Sequence, residues 1–549
     1  MNFIKKYFVF IFVFLILFLS YIPNLYEASI VGLLPPNRTM IQGEHIYTYD
    51  YNTYLSKIRQ GQEGRLSVVD KYDNHPSQRG VFLQMLYLLS GKLAGIFNFS
   101  PPFTYHLLRI VTAVFWVATI IVLNTYFLKT LSLVNLGVVF SLLAASFPVF
   151  YRFQDQWWIG QHMNWWQELD ILKRISFIPH DSLNYIFISV FTILLSQIDK
   201  NKKYFPVLCG LLVISVFIQP TSAILFIISW TLYYLIKFFW FKFLTNGQIA
   251  FKIKQTAVIF ITVFIPLLYI KFATSTYPWK SLLDSDQQNR LVFDIKDYIL
   301  ALGPIFFIGV AGGLLVILKK KQELLGLVTW ITGASIAIIL FKFFPYQSEL
   351  RFVQTANHIP LAILSVYFIN YLIIKFKNVV FRYSIYIVIV FIVFLGLAQV
   401  YFSLKSQVQF INQRAMATVP LVPYPPQVMY PLSDFYNGLK WLEKNTDHQT
   451  VVLSKITAGN YIPAYSGNFV YFGHGAETPN YNQRTEKVNE FFSGNLTEKQ
   501  ALNFLRTENI SYIFYGPQEK ENNLRDIGVY NFLKPVYQSP LVIIYEVSR

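Results

Sequence analysis

The sequence predicts a polytopic α-helical membrane protein with a small α/β domain at its C-terminal end. Three observations carry this. Of 549 residues, 54% are hydrophobic and only 14% are charged, where a soluble domain carries about 25% charged residues. Apolar runs of spanning length recur from the N-terminus to residue 402, after which the composition changes. The formal net charge of +17 resides mostly in short connections between those runs. That is the pattern of the positive-inside rule rather than a nucleic-acid footprint, so no nucleic-acid partner is expected. A soluble enzyme, a disordered chain and a fibrous repeat are excluded. The single cysteine, Cys209, lies inside an apolar run. It permits no intrachain disulfide or thiol-rich metal site, and it reads as a small buried hydrophobe.

The first run, Phe8 to Ile22, follows Lys5 and Lys6 and is not followed by a small-residue cleavage site. It reads as an anchor with a cytoplasmic N-terminus. Ten more runs lie near 104–128, 134–151, 183–198, 204–219, 221–241, 255–272, 298–318, 323–341, 358–374 and 383–402, about eleven spans in all. The segment 81–97 is short for a span and carries a seam of Gln84, Tyr87, Gly91 and Gly95 at helical spacing. An interfacial helix in the first outer loop, 23–103, fits it. The charge pattern agrees. If 81–97 does not cross, Lys129, Lys200/Lys202/Lys203, Lys237/Lys242/Lys252/Lys254, Lys319/Lys320/Lys321 and Lys375/Lys377/Arg382 all fall on the side of Lys5 and Lys6. Long loops and the C-terminal region then face the extracytoplasmic side of the cell membrane.

Residues 1–402 read as the transmembrane domain and 403–426 as a linker stiffened by Pro420, Pro423, Pro425 and Pro426. Residues 427–549 read as an extracytoplasmic α/β domain. In it a helix is expected over Phe435–Lys444, and strands over Thr450–Ser454, Phe469–Phe472, Ser511–Tyr515 and Leu541–Val547. Thr497-Glu498-Lys499-Gln500 is a capping box opening a helix to Arg506.

Chemistry is expected in the outer loops. Asp50 precedes a helical pattern and has Tyr47, Tyr49, Tyr51 and Tyr54 as neighbours. It reads as an N-cap, as a general base whose pKa burial among rings would raise, or as both. Asp70, Asp73 and His75 read as a polar surface loop. His106 and Arg109 open the second span, Arg109 being either an interfacial anchor or a phosphate contact. The loop 152–182 carries Trp157, Trp158, Trp165 and Trp166, which read as an aromatic belt. Its Asp155, His162 and Glu168 could ligate a divalent cation, although their spacing matches no defined metal motif. Arg351 suits a lipid phosphate, because a guanidinium stays charged and binds bidentately. A salt bridge with Glu349, or snorkelling, accounts for it equally. His474, between Gly473 and Gly475, reads as a turn histidine with a site role as the alternative.

The chain resembles the integral-membrane glycosyltransferases of the GT-C fold, of the mannosyltransferase and aminoarabinose-transferase type. Several features carry the resemblance: Tyr49-Asp50-Tyr51-Asn52-Thr53-Tyr54-Leu55 in the long first loop, the interfacial helix, Tyr105-His106-Leu107-Leu108-Arg109, Ile178-Pro179-His180, and Arg351 followed by Ile359-Pro360-Leu361-Ala362. Gly459-Asn460-Tyr461-Ile462-Pro463-Ala464-Tyr465-Ser466-Gly467 and Phe472-Gly473-His474-Gly475 resemble bacterial members. The resemblance implies inverting transfer of a sugar from a polyprenyl-phosphate donor to a glycan, lipid or protein acceptor at the extracytoplasmic face, among membrane lipids. It maps the base onto Asp50. A leaving phosphate needs a fixed cation, for which Arg351 is the first candidate and Arg109 the second, and Tyr54, His106, Asp155 and His180 are further substrate-binding candidates. It implies no certain cofactor; a divalent cation is left open. A second acid does not follow Asp50, unlike in many members. The rival classes are a transporter or lipid flippase, which would place ionisable groups mid-membrane, and a non-catalytic glycolipid-binding relative.

Overall fold

The computed structural model describes residues 2–153, 155–242, 246–344, 347–416, 429–521 and 525–548. The four linker prolines, and Pro345 and Tyr346 ahead of Arg351, lie outside the described residues. Among those described, seven helices are long and apolar enough to cross a bilayer: Tyr7–Leu33, Pro101–Leu128, Pro220–Trp240, Gln248–Thr274, Gln322–Lys342, His358–Lys375 and Val379–Ala415. The last runs on through residues 403–415, the start of the expected linker. Ile295–Leu302 and Pro304–Leu318 would form an eighth span, but they meet at 91° at Gly303, whose φ is +69°.

The other expected spans are shorter or more polar, for local reasons. Leu131–Leu142 stops before Phe147-Pro148, and the chain turns into the strand Pro148–Phe153. A residue preceding proline disfavours helix. Tyr204–Ile218 has 15 residues, about 22 Å of helix against a hydrocarbon core of about 30 Å. Pro179–Gln197 is longer, but it opens with His180, Asp181 and Asn184.

The chain divides into two compact units. One comprises residues 1–23, 109–269 and 290–406, hence most of the apolar helices. Polar ties hold it internally: Asp199 takes Lys237 at 2.6 Å and Lys252 at 2.8 Å, and Trp330 Nε1 donates to the Thr355 carbonyl at 3.0 Å. The other comprises residues 24–108, 270–289 and 407–549. Its five-stranded sheet has the order Phe469–Val470, Val451–Leu453, Ile510–Tyr515, Ile543–Val547, Leu533–Gln538. The first three strands are mutually parallel and the last two join antiparallel. Phe469, Val451 and Ile513 pack with Phe491, Leu505 and Val69 into one core.

Val69 belongs to the first loop, which is therefore built into the sheet domain. Val470 N donates to the Lys71 carbonyl at 2.9 Å, and Lys71 Nζ donates to the Gly467 and His448 carbonyls at 2.8 and 3.0 Å. Asp70 and Asp73, expected in a surface loop, are buried at 1% and 0% exposure. The expectation failed because the nearby charges come from distant sequence: Arg484 meets Asp73 at 2.8 Å.

Within the same unit, Tyr51–Gln62 and Met85–Ile96 form a tight helix pair. The seam of the second helix faces the first rather than water. A Cβ on Gly91 would lie 1.9 Å from the Ile58 carbonyl oxygen, and Tyr87 stacks on Tyr54 at 4.4 Å. Leu89, Leu93 and Ile96 are left exposed, so the apolar face is the outward one.

Candidate functional site

Asp50 occupies the N-cap position of Tyr51–Gln62, yet its side chain makes no capping hydrogen bond. Its carbonyl accepts the first helical bonds, from the Thr53 and Tyr54 amides. The carboxylate is turned to other donors. Oδ2 accepts from the Tyr47 hydroxyl at 2.9 Å and from the Tyr54 hydroxyl at 3.4 Å. Oδ1 lies 3.2 Å from His474 Nε2, and the carboxylate keeps 26% exposure. Tyr54 is itself held between Tyr87 and Tyr105, with centroids at 4.4 and 6.2 Å.

Burial alone would raise the Asp50 pKa, as expected from its aromatic neighbours. Hydrogen bonds from His474 and the Tyr47 hydroxyl, together with the Lys57 charge, oppose burial and hold it below the usual aspartate value. The expected rise is thus reversed, because the rings bring hydroxyl donors rather than apolar faces alone. Lys57 is buried with Glu477 in a 2.6 Å ion pair.

His474 sits on a loop that closes on itself. The Thr478 hydroxyl accepts from the Gly473 and His474 amides at 3.2 and 3.0 Å. Two glycines let the Ile456–Tyr465 helix lie against this loop: a Cβ on Gly473 would approach the Gly459 carbonyl oxygen to 2.3 Å, and one on Gly459 the Phe472 oxygen to 2.0 Å. The same helix is tied to the Asp50 helix by Asn52 Nδ2 donating to Asn460 Oδ1 at 2.7 Å. The glycine-rich motifs around 459 and 473 thus bring a histidine to the first-loop aspartate.

His106 stands one layer behind, with Nε2 3.1 Å from the Gln42 carbonyl and 3.4 Å from the Tyr51 hydroxyl.

The remaining predicted residues lie in the unit of apolar helices. Arg109 is 2% exposed, with its guanidinium 5.6 Å from the Tyr21 ring centroid. Arg351 is half-buried in the Glu349–Phe352 turn. Glu349, its expected partner, is instead paired with Arg290 at 2.7 Å. Arg351 bears on Glu168, a buried carboxyl facing Tyr185 and Trp166. Burial and the neighbouring Asp181 push the Glu168 pKa well up, and the Arg351 charge only partly opposes this. Asp181 accepts from Gln219 at 3.1 Å and lies 3.9 Å from His180 Nε2.

Glu168, Tyr298, Asn357, His358 and Arg174 line a small cavity with room for about one water. Arg174, which sequence reasoning passed over, donates to the Leu142 carbonyl at 2.7 Å. Its burial lowers its pKa to about 10.

Asp155, His162 and Glu168 are not brought together. Asp155 turns outward at the tip of the 148–161 hairpin, 95% exposed and 3.2 Å from Arg152, while His162 bonds Asp297. Among the described residues no group of three ligating side chains is poised to hold a metal ion.

No family model and no curated protein matches the chain. Solved structures do share its architecture, and the fold is GT-C-like. The Archaeoglobus fulgidus oligosaccharyltransferase in the apo form aligns at TM-score 0.56 with 12% identity, over 100% of this chain and 75% of that one. AglB from the same organism, in complex with an inhibitory peptide and a dolichol-phosphate, aligns at 0.54 and 12%, over 93% and 69%. ArnT from Cupriavidus metallidurans, bound to undecaprenyl phosphate, aligns at 0.52 and 9%, over 97% and 98%.

Proposed function

We propose that the protein is a membrane glycosyltransferase that moves a sugar from a polyprenyl-phosphate donor to an acceptor at the extracytoplasmic face, with inversion. The observation that supports this most is the Asp50 carboxylate. It is released from capping, partly open, and held ionised at neutral pH by surrounding donors. Solved structures of this fold carry polyprenyl phosphates.

In the step proposed, the acceptor hydroxyl gives its proton to Asp50 while its oxygen forms a bond to the anomeric carbon. The bond from that carbon to the phosphate oxygen breaks, and its electron pair leaves with the polyprenyl phosphate. Negative charge grows on the leaving phosphate, where a fixed guanidinium is most effective. Arg351 is assigned that role, with Arg109 as the second cation. Tyr54, His106 and His180 are proposed as further substrate-binding residues.

The test is release of undecaprenyl phosphate from undecaprenyl-phosphate-linked mannose, glucose and aminoarabinose by the full chain in nanodiscs, read by mass spectrometry. Asp50→Asn should lower release by about 10²–10⁴ while leaving thermal stability near wild type, as expected for loss of a positioned base. Full release by Asp50→Asn would overturn the assignment.

A further inference from the structure

We propose that His474 is a positioning residue for Asp50: its Nε2–H holds Oδ1 so that one remaining lone pair of that oxygen is presented to the acceptor hydroxyl. The proposal rests on the reading of Asp50 as base.

The imidazole has its tautomer set by the loop that carries it. Nδ1 accepts from the amides of Ala476 and Glu477 at 3.2 and 3.1 Å. An atom that accepts two hydrogen bonds bears no proton, so the neutral ring carries its hydrogen on Nε2. Nε2 makes a hydrogen bond to the Tyr49 carbonyl at 3.3 Å and lies 3.2 Å from Asp50 Oδ1, within reach of the same hydrogen. The ring cannot turn away. It is 2% exposed, with the Tyr49 and Tyr72 rings at 4.8 and 5.6 Å. Gly475 leaves no spare room either, since a Cβ there would lie 2.6 Å from the Tyr49 hydroxyl.

The donor count gives the carboxylate its orientation. A carboxylate offers about four lone-pair sites. Tyr47 and Tyr54 take Oδ2 and His474 takes one site on Oδ1, so the open site is on Oδ1. The other charged or titratable groups facing Asp50 do not replace this donor. Lys57 is committed to Glu477 at 2.6 Å, and the Tyr49 and Tyr72 phenols, which Asp50 disfavours from ionising, give it no hydrogen bond.

The test follows modification of Asp50 by N,N′-dicyclohexylcarbodiimide, which attacks the protonated carboxyl, across pH in the full chain in nanodiscs, with peptide mass spectrometry as the readout. Wild type should be modified only at acid pH. His474→Leu should be modified at distinctly higher pH, and His474→Gln, whose amide supplies a donor, should return toward wild type. His474→Met, also without a donor, serves if the leucine variant does not fold. Coincident curves for wild type, leucine or methionine, and glutamine variants would overturn the proposal, as would modification of wild-type Asp50 near neutral pH. The release assay on Asp50→Asn is independent of these curves. Loss of the base reading therefore shows there, and loss of the His474 role shows here.

Discussion

Two carboxyls in this molecule, one partly open and one buried, are driven in opposite directions. Asp50, in the unit that holds the first loop and the sheet, is surrounded by an imidazole, two phenols and a lysine, and its pKa falls. Glu168, in the unit of apolar helices, shares its surroundings with Asp181, and its pKa rises well above the ordinary value. Burial pushes both upward. What differs is the sign of the company, and that decides the direction in which each carboxyl is displaced.

Lys57 tests the first half of the contrast most severely. Lys57→Met leaves Glu477 buried and without its cation, and should cost about 3–5 kcal/mol in thermal or denaturant unfolding. Lys57→Met combined with Glu477→Leu should recover much of that loss. If the single variant is as stable as wild type, the buried pair is not the support assigned to it.

Arg351 tests the second half. Arg351→Ala should lower polyprenyl phosphate release by about 10²–10³, as for loss of one fixed transition-state donor. Arg351→Lys should restore little, since an ammonium does not reproduce the planar fork. Unchanged release by Arg351→Ala would shift the phosphate role to Arg109.

Gly473→Ala should cost about 1–3 kcal/mol by overpacking against the Gly459 carbonyl, and should displace His474 from Asp50. A stable variant with an unchanged carbodiimide profile would detach the loop from the site.

The smallest effect is on pH dependence. Asp50 has a depressed pKa, so its contribution to stability is present above the unfolded value and is lost as pH falls through the folded one. Asp50→Asn should therefore flatten the acid side of a melting-temperature profile. Glu168 has a raised pKa, so the folded state loses stability as pH rises from the ordinary 4.5 toward the raised value. Glu168→Gln should gain stability relative to wild type over that rise. Parallel profiles for the two variants would contradict the opposite shifts.

The readable part of the architecture was the part written locally. Apolar runs announced the long helices, and the capping box at Thr497 formed as its spacing requires, with Gln500 completing it. The Ile456–Tyr465 helix was not legible, because Gly459, Asn460 and Pro463 weaken its intrinsic preference. It is sustained by packing and by the Asn52–Asn460 bond. Asp50 stood out from its aromatic neighbours, but the direction of its pKa did not, because the decisive donor comes from a glycine-flanked histidine far down the chain. Asp73 was misplaced for the same reason, its partner Arg484 lying on a distant helix.

The central claim is the proposal that Asp50, and not Glu168, takes the proton of the acceptor. Measuring undecaprenyl phosphate release by Asp50→Asn and Glu168→Gln side by side tests it most directly. The account predicts near-complete loss in the first and retention within a few fold in the second; retention in the first, or collapse in the second alone, would contradict it.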